Sequence, residues 1–346
     1  MQHVRFGLGI RELLTGDDGH YSDAAEVGKF LDDAGFAVGY CSDDQTLRAD
    51  MYVACAVAAM HTKRIRILAG PTNPLTRHPA VTAGGTASLD LLSHERMMLN
   101  LSIGFSNVRN AGYRPAKMAT LRDYTVAVKE LFSKKETVFK GRKTFLKLPS
   151  RAIPVILTAE GPKTLRLAGE VADGVIIGFG LTPEAIKAAL GYLKEGAESA
   201  GRTLKDIDIW WQVRWSVADD RATALEMLRG RLSSAATHVF SYGFEDRFVP
   251  PQFHDEIRAL GKRYLATEHE TGGGRERAFV DSPALKEYLA SRFAAYGTPK
   301  QLVERLEELA ALGVTQLRLA PGSQGESRDK QLEVLAKQVM PHFKLA

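Results

Sequence analysis

Cysteine is scarce in this chain of 346 residues, which contains only Cys41 and Cys55. Two cysteines cannot build a disulfide framework, and neither has a metal-site spacing to the histidines, so we expect both thiols to be reduced and buried. Long uncharged apolar runs are also missing, which argues against a segment that spans a membrane. Because the N-terminal residues hold no apolar core of signal-peptide length, the sequence predicts a cytoplasmic protein.

Charge of one sign is not concentrated in any stretch of the sequence. The formal net charge is only +5, and lysine and arginine are spread along the chain. A nucleic-acid-binding protein would need a concentrated basic stripe. The mild positive balance instead favours an anionic small molecule as the ligand, and neither a nucleic acid nor a membrane is expected as a partner.

Several catalytic signatures are absent. No G-x-G-x-x-G follows the first predicted strand, which argues against a dinucleotide-binding open sheet. No H-x-E, C-x-x-C or carboxylate cluster ends a predicted strand, so no metal site is expected. No serine lies in a G-x-S-x-G elbow, which argues against a serine hydrolase.

A strand followed by a helix is the pattern that repeats along the chain. Strands are predicted at 4–10, 37–41, 65–70, 96–103, 154–159, 174–178, 207–217 and 314–319. Alternation of strands with helices indicates a parallel sheet, and eight such units favour a closed (β/α)8 TIM barrel that takes up residues 1–346 as one domain. A doubly wound open sheet is the alternative.

Two stretches interrupt this repeat. Residues 137–148 alternate around a glycine and predict a small β excursion. Residues 242–285, which follow the seventh predicted strand, form an insertion with Pro250-Pro251 and a Gly-rich run at 272–274. This insertion is either a lid over the ligand or a surface loop without that role.

In a TIM barrel the carboxyl ends of the strands face the active site. In this chain those positions carry glycines, hydroxyls, amides and predicted helix starts, which suit a planar ring with an anionic tail. Glu160-Gly161-Pro162-Lys163 is the clearest case, because Gly161 permits close backbone approach and free amides at a helix start attract a phosphate. Since Gly-Pro helix starts are common, a purely structural role is the alternative.

Three segments resemble the luciferase-like monooxygenase superfamily: GPTNPLTRHPAVTAGGTASLDLLSHERMMLNLSIG at 70–104, PVILTAEGPKTLRLAGEVADGVIIG at 154–178 and SDDQTLRADMYVACAVAAM at 42–60. They are most similar to its deazaflavin branch, typified by methylenetetrahydromethanopterin reductase. The resemblance implies a (β/α)8 barrel that binds the deazaflavin coenzyme F420 or, alternatively, flavin mononucleotide (FMN) in the barrel mouth. Many members are homodimers, so a homodimer is expected.

The resemblance also implies a set of cofactor-binding positions. In the family, a cis peptide in a bulge at the end of strand three backs the central ring of the cofactor, and that position falls on Gly70-Pro71. The other implied positions are Asp43, Thr72, Asn73, Ser102, Gly104, Ala159, Glu160, Gly161 and Gly178. Each also has a structural alternative as a turn cap, a loop tie or a packing residue.

Two residues depart from the family pattern. Asp44 replaces the histidine that often follows the strand-two aspartate, so this wall of the pocket favours a positive or hydrogen-bond-donating substrate group. Gly9 replaces a strand-one glutamate that handles the pterin proton in the reductase branch, which argues against reduction of a methylene-pterin by the same mechanism. Asp44 and His78 are the catalytic candidates, with helix-end hydrogen bonding as the alternative role of His78.

The implied function is that of a luciferase-like oxidoreductase. Such an enzyme transfers a hydride to or from a small organic substrate, while the protein orients the cofactor and excludes water. One alternative is a monooxygenase that uses reduced FMN and O2, and another is a flavin-binding barrel without catalysis. A cofactor-free barrel lyase is disfavoured because no lysine falls at a predicted strand end.

Overall fold

The computed structural model describes residues 2–10, 22–47, 49–264, 280–322 and 326–345. Within them the strands are β1 (His3–Gly9), β2 (Val38–Cys41), β3 (Arg66–Thr72), β4 (Met97–Leu101), β5 (Glu136–Phe139), β6 (Arg142–Phe145), β7 (Val155–Ala159), β8 (Gly174–Ile177), β9 (Asp208–Val217), β10 (Ala294–Gly297), β11 (Gln316–Pro321) and β12 (Lys344–Leu345). The α-helices are α1 (Ser22–Asp33), α2 (Met51–His61), α3 (Pro79–Leu92), α4 (Ser106–Asn110), α5 (Met118–Lys134), α6 (Pro162–Val171), α7 (Pro183–Ser199), α8 (Arg221–Met227), α9 (Arg229–Phe240), α10 (His254–Arg263), α11 (Pro283–Phe293), α12 (Pro299–Ala311) and α13 (Glu326–Val334). Short 3₁₀-helices lie at Leu204–Asp206, Pro251–Phe253 and Met340–His342, and a π-helical turn lies at Leu335–Val339.

Eight parallel strands close into a barrel in the order β1, β2, β3, β4, β7, β8, β9, β11 and back to β1. The ring is closed at β1, where Leu8 pairs with Gly39 of β2 on one edge and with Leu319 of β11 on the other. These strands coincide with the eight predicted from the sequence. The TIM barrel is therefore confirmed, and the open-sheet alternative is wrong.

β10 is an additional short strand that the sequence analysis did not predict. The first half of β9 pairs with β8 as far as Trp211, and its second half pairs with β10 from Arg214 to Val217. β10 thus continues the barrel wall beyond the end of β8. Four residues directly after a helix carry too little periodicity to indicate a strand.

Alternate residues of the barrel strands serve two separate cores, because successive side chains of a strand point to opposite faces. One face packs on the surrounding helices. The other face fills the barrel interior with Val38, Tyr40, Leu68, Met98, Ile156, Ile176 and Trp210. Nearer the carboxyl ends the inward positions become polar, as at Thr158 after Ile156 and Gln212 after Trp210, and a cavity begins there.

The two interruptions of the repeat differ in what the structure describes. β5 and β6 form an antiparallel hairpin in which Glu136 pairs with Phe145, so the predicted β excursion is confirmed. In the insertion, Val249, Ile257 and Leu260 join a second apolar cluster with α8, α9 and α11. The Gly-rich run of the insertion lies outside the described residues, and the lid role stays a prediction. In the described ranges no helix has the length and apolar character needed to cross a membrane.

Candidate active site

A cavity of about 800 Å³ opens at the carboxyl ends of the barrel strands. Its walls come from the loops after β2, β4 and β7, from Pro71 of β3, from inward-facing residues of β9 and β11, and from α9 and the insertion. The acidic residues of the lining are Asp43, Asp44, Glu160, Glu245 and Asp246. The lysines and arginines of the lining are Lys117, Lys163, Arg166, Arg214, Arg247 and Arg318. We call this space the barrel cavity.

The end of β3 bulges toward the barrel cavity. Its pairing register with β4 shifts between Ala69 and Thr72, and the peptide bond between Gly70 and Pro71 is cis. Gly70 has a φ of +125°, and a Cβ there would lie 2.3 Å from the backbone oxygen of Asn100, so position 70 requires glycine. Since Pro71 lines the cavity, the predicted cis bulge is present and borders the ligand space.

Thr72 and Asn73 follow the bulge and are fully buried. Asn73 Oδ1 accepts hydrogen bonds from the amides of Leu75 and Thr76, both at 3.0 Å. This side chain therefore ties the proline-rich loop together, which is the structural alternative expected for it. The Nδ2 groups of Asn73 and of Asn100 have no acceptor among the described residues, so two buried amide donors lie close to the bulge.

Asp43 lines the barrel cavity, but its carboxylate is engaged in an ion pair. Arg77 Nη1 lies 2.5 Å from Asp43 Oδ2, and the Asp43 side chain is only 1% exposed. Asn107 Nδ2 donates to the backbone oxygen of Asp43 at 2.9 Å. Burial alone would lower the pKa of Arg77, yet the hydrogen bond and charge of Asp43 raise it. The pair fixes the end of β2 against the loop before α3, so Asp43 acts on the cavity by positioning its wall.

Asp44 contributes a second carboxylate to the same cavity and is 6% exposed. Ser106 Oγ lies 3.5 Å from Asp44 Oδ2, and Thr46 Oγ1 lies 3.4 Å from Oδ1. Both contacts are long for hydrogen bonds between oxygens. A carboxylate on the cavity wall can accept a hydrogen bond or a proton from a hydroxyl or amino group of a substrate.

His238 of α9 also lines the barrel cavity, and the sequence analysis missed it. Its ring packs on Phe105 with centroids 4.0 Å apart, and its Nε2 lies 3.4 Å from the Tyr264 hydroxyl. Phe105 precedes Ser106, the residue that contacts Asp44. An imidazole and a carboxylate therefore share one region of the cavity, although no sequence motif marks the histidine.

The start of α6 forms another part of the wall. Gly161 is the N-cap residue, with a φ of −162°, and its amide lies 3.3 Å from Thr164 Oγ1. A Cβ at Gly178 would lie 2.8 Å from Glu160 Cγ, so glycine at 178 makes room for the Glu160 side chain. Ala159 is fully buried beneath this turn.

The structure brings seven predicted residues to the cavity lining and leaves six outside it. The lining includes Asp43, Asp44, Pro71, Ser102, Gly104, Glu160 and Gly161. The lining does not include Gly70, Thr72, Asn73, His78, Ala159 and Gly178. His78 is exposed, its Nδ1 accepts the amide of Ala80 at 3.2 Å, and its ring packs against Phe139. This placement matches the helix-end role of His78 and brings no support to the catalytic one.

The inward-facing ends of the strands carry polar residues that the sequence analysis also missed. They are Thr158, Gln212, Arg214 and Arg318. Arg318 donates to Gln212 Oε1, and its guanidinium carbon lies 3.7 Å from the centroid of the Tyr40 ring. Thr158 Oγ1 donates to Asn100 Oδ1 at 3.1 Å. The sequence did contain a signal for these residues: polar side chains occur at every second position of β9 and β11, and such positions share one face of a strand.

Comparison with known proteins relates this chain to a protein family. A profile of the luciferase-like monooxygenase family matches residues 7–316. A 5,10-methylenetetrahydromethanopterin reductase of Methanopyrus kandleri is 26% identical over 99% of this chain and 100% of its own length. An F420-dependent glucose-6-phosphate dehydrogenase of Microbacterium testaceum is 27% identical over 82% of this chain and 80% of its own length.

A solved structure shows the same architecture. The coenzyme F420 dependent tetrahydromethanopterin reductase from Methanopyrus kandleri aligns with a TM-score of 0.77 at 25% identity, over 99% of this chain and 100% of that one. The predictions of the fold, of an oxidoreductase and of a deazaflavin or flavin cofactor are confirmed at the level of the family. Since the family profile covers most of the sequence, the chain belongs to the luciferase-like monooxygenase family.

Proposed function

We propose that this protein is a coenzyme F420-dependent oxidoreductase that transfers a hydride between the deazaflavin and a small organic substrate. The observation that carries the proposal is that Pro71, Gly161 and Asp44 line one continuous cavity. The bulge offers a surface for a ring, the helix start attracts an anionic tail, and the carboxylate accepts a proton. The reductase and the dehydrogenase described above are both named for coenzyme F420, which supports the deazaflavin over FMN.

The residues present fit a cofactor of this kind. Pro71 at the bulge, Ser102 and Gly104, whose φ is +81°, line one part of the cavity and leave room for a flavin-type ring. Pro71, Ser102 and Gly104 would hold the ring, and Gly161 would hold the anionic tail. When bound, the deazaflavin supplies a ring carbon that accepts or donates a hydride.

The chain's own residues orient the substrate, exclude water and move one proton. Asp44 accepts the proton of a hydroxyl or amino group when the neighbouring carbon of the substrate loses its hydride, and it returns that proton in the reverse direction. The substrate is thus a small molecule with a hydroxyl or amino group on the carbon that is oxidised. His238 lies in the same region and contributes a second group able to exchange protons.

Parallel titrations of the purified apoprotein with coenzyme F420 and with FMN test the cofactor. We expect tighter binding of F420, and loss of the oxidised deazaflavin absorbance when small alcohols and amines are offered without oxygen. Turnover that requires reduced FMN and O2 would establish a monooxygenase instead. Tight cofactor binding with no change of redox state for any substrate would indicate a non-catalytic flavin-binding barrel.

We also propose that the protein is a cytoplasmic homodimer. Large exposed apolar side chains concentrate on α2, α3 and the segment of the β5–β6 hairpin: Val53, Met60, Val81, Leu91, Leu92, Val138, Phe145 and Leu148. Exposed apolar patches of this kind are typical of protein interfaces, and a second copy of this chain is the partner that the family resemblance implies. Neither Cys41 nor Cys55 forms a disulfide and both are buried, which suits a reducing compartment.

A further inference from the structure

Arg318 lies on the floor of the barrel cavity, where the polar strand ends meet the apolar filling of the barrel interior. It lines the barrel cavity, and it also borders a small apolar void together with Val38, Leu68 and Trp210. A cation beside apolar side chains is less well solvated than one on the open surface, so an anion that enters the cavity is attracted to it.

Two neutral neighbours fix the orientation of the Arg318 guanidinium. Its Nη1 donates to Gln212 Oε1, and its carbon lies 3.7 Å from the centroid of the Tyr40 ring. The Tyr40 ring is itself held, because its hydroxyl donates to the backbone oxygen of Leu319 at 2.7 Å. A hydrogen bond to an amide and a contact with an aromatic face orient an arginine but bring it no negative charge. These contacts therefore preorganise the guanidinium for an anion.

The charged residues of the lining are distributed unevenly between its floor and its rim. Among the described residues, the barrel strands contribute two arginines and no acidic residue to the lining, whereas all the acidic residues of the lining lie in loops. The strand residues are Pro71, Thr158, Gln212, Arg214 and Arg318. A molecule with one anionic end would thus bind with that end on the floor and with its other polar groups toward the rim.

Asp44 lies within reach of a small molecule bound on this floor. Tyr40, which Arg318 covers, and Asp44 belong to β2 and to the loop that directly follows it. Their Cα atoms can be separated by at most about 14 Å, the extended length of the chain between them. The side chains of Arg318 and Asp44, together with a small molecule, can bridge such a distance. One end of that molecule would be anionic, and the other would carry the hydroxyl or amino group that gives its proton to Asp44.

We propose that Arg318 and Gln212 form a carboxylate-binding subsite on the cavity floor, so that the substrate is a small hydroxy acid or amino acid. The inference rests on the proposed function, since it specifies the substrate of the same oxidation. A planar carboxylate matches the parallel N–H groups of arginine, and Gln212 Nε2 provides a further donor on the floor. The carboxylate itself is unchanged in the reaction, because the hydride leaves the carbon that bears the hydroxyl or amino group and the proton goes to Asp44.

Acids and their methyl esters provide the test, because esterification removes only the charge of the carboxylate. Lactate, β-hydroxybutyrate and alanine are compared with their methyl esters by following F420 reduction without oxygen. We expect kcat/KM for at least one acid to exceed that for its ester by at least about tenfold. Arg318→Met keeps an unbranched side chain over Tyr40. It should lower kcat/KM for the acid by about 10- to 100-fold and for the ester by less than about threefold.

Three further variants separate charge from shape. Gln212→Glu places a carboxylate of the protein beside Arg318, so it should remove the preference for acids while the guanidinium stays in place. Arg318→Lys keeps the charge without the planar pair of donors, so its loss should be intermediate. Arg166 also lines the cavity but is paired with Glu195 at 2.6 Å. Arg166→Met is therefore the matched control and should change neither kcat/KM by more than about threefold.

Equal losses for acid and ester in Arg318→Met would assign Arg318 to the shape of the pocket and would overturn the proposal. Wild-type protein that oxidises neutral alcohols or esters as well as the acids would overturn it too, while the proposed function would stand. Oxidation of glucose 6-phosphate but of no carboxylate, abolished in Arg318→Met, would assign the floor to a phosphate and equally contradict a carboxylate subsite.

Calorimetric titration of the F420-loaded protein with β-hydroxybutyrate and its methyl ester gives the same comparison as binding, independently of turnover. If Arg318→Met does not fold, Arg318→Lys and Gln212→Glu carry the comparison. Failure of the wild-type protein to bind F420 or FMN would refute the proposed function itself, and it is distinct from the absence of a preference for acids.

Discussion

Valine in place of Gly161 tests the proposed anion site at the start of α6 separately from the fold of that helix. Gly161 has a φ of −162°, an extended conformation that any residue adopts, so the substitution adds no backbone strain. The three atoms nearest to an added Cβ all belong to the Arg247 guanidinium, the closest at 2.7 Å. This is the flexible end of a long side chain, which can move by several tenths of an ångström. We therefore expect the free energy of unfolding to change by less than about 1 kcal/mol.

Cofactor affinity should change more than stability in this variant. The methyl groups of valine would cover the first amides of α6 and displace the Arg247 guanidinium at the same time. Loss of one charge-assisted hydrogen bond, about 1.5–3 kcal/mol, predicts an affinity for F420 that is lower by more than about tenfold, or roughly 1.4 kcal/mol. Lys163→Ala should have a smaller effect, because Lys163 is exposed and salt screens its charge.

Fluorescence titration with F420 measures the affinity, and thermal unfolding without ligand reports on the fold. Gly161→Ala should show a smaller loss in the same direction. Gly191→Ala is its matched control, since a Cβ at Gly191 on α7 meets nothing within 4 Å. Wild-type affinity in a folded Gly161→Val protein would show that the phosphate binds elsewhere, and the cofactor-binding role of Glu160 would lose its support.

Three further predictions concern catalysis, stability and assembly. Asp44→Asn should lower anaerobic turnover by at least about 100-fold with F420 affinity retained, and wild-type turnover would exclude Asp44 from proton transfer. Burial raises the pKa of the Asp32 carboxyl, whereas hydrogen bonds from the amides of residues 63–65 at 2.7–2.9 Å lower it. The lowering is the larger effect, so the pKa in the folded protein lies below that in the unfolded chain. The resulting stabilisation is present above about pH 4 and is lost as the pH falls. Asp32→Asn should therefore reduce the free energy of unfolding by about 2–4 kcal/mol at pH 7 and by much less near pH 3. Equal losses at both pH values in urea unfolding would contradict this expectation. Met60→Glu combined with Val81→Glu should convert a dimer into a folded monomer in light scattering, and an unchanged mass would place the interface elsewhere.

The barrel could be predicted because its signal is periodic and local. Strands of the barrel are short apolar runs, and several following helices begin at a residue whose capping role the sequence indicates. Thr182 before α7 and Thr298 before α12 accept hydrogen bonds from amides of the first turn, as their sequence contexts predict. The bulge at Gly70-Pro71 was predictable for a different reason, since only the family resemblance linked that dipeptide to a cis bond.

The parts of the site that were missed depend on tertiary packing. His238 and Arg247 come from the region after β9, where several helices replace the single helix of the repeat. Their side chains reach the cavity because that region folds over the barrel mouth, and no local pattern encodes such an approach. Arg214 and Arg318 differ from these two, because alternation along β9 and β11 places them on the inward face.

The order of the strands places the two proposed tasks of the barrel cavity, binding of the cofactor tail and transfer of a proton, at different positions around the barrel. The proposed tail-binding end follows β7, where Gly161 and Arg247 lie together, whereas Asp44 follows β2. β3 and β4 stand between β2 and β7 in the barrel, and they supply Pro71 and the segment with Ser102. The ring would therefore lie between the end that holds Gly161 and Arg247 and the end that holds Asp44. Because charges on opposite sides of a wide cavity interact weakly when water and salt reach it, the phosphate can be held tightly without removing the negative charge that Asp44 needs to accept a proton.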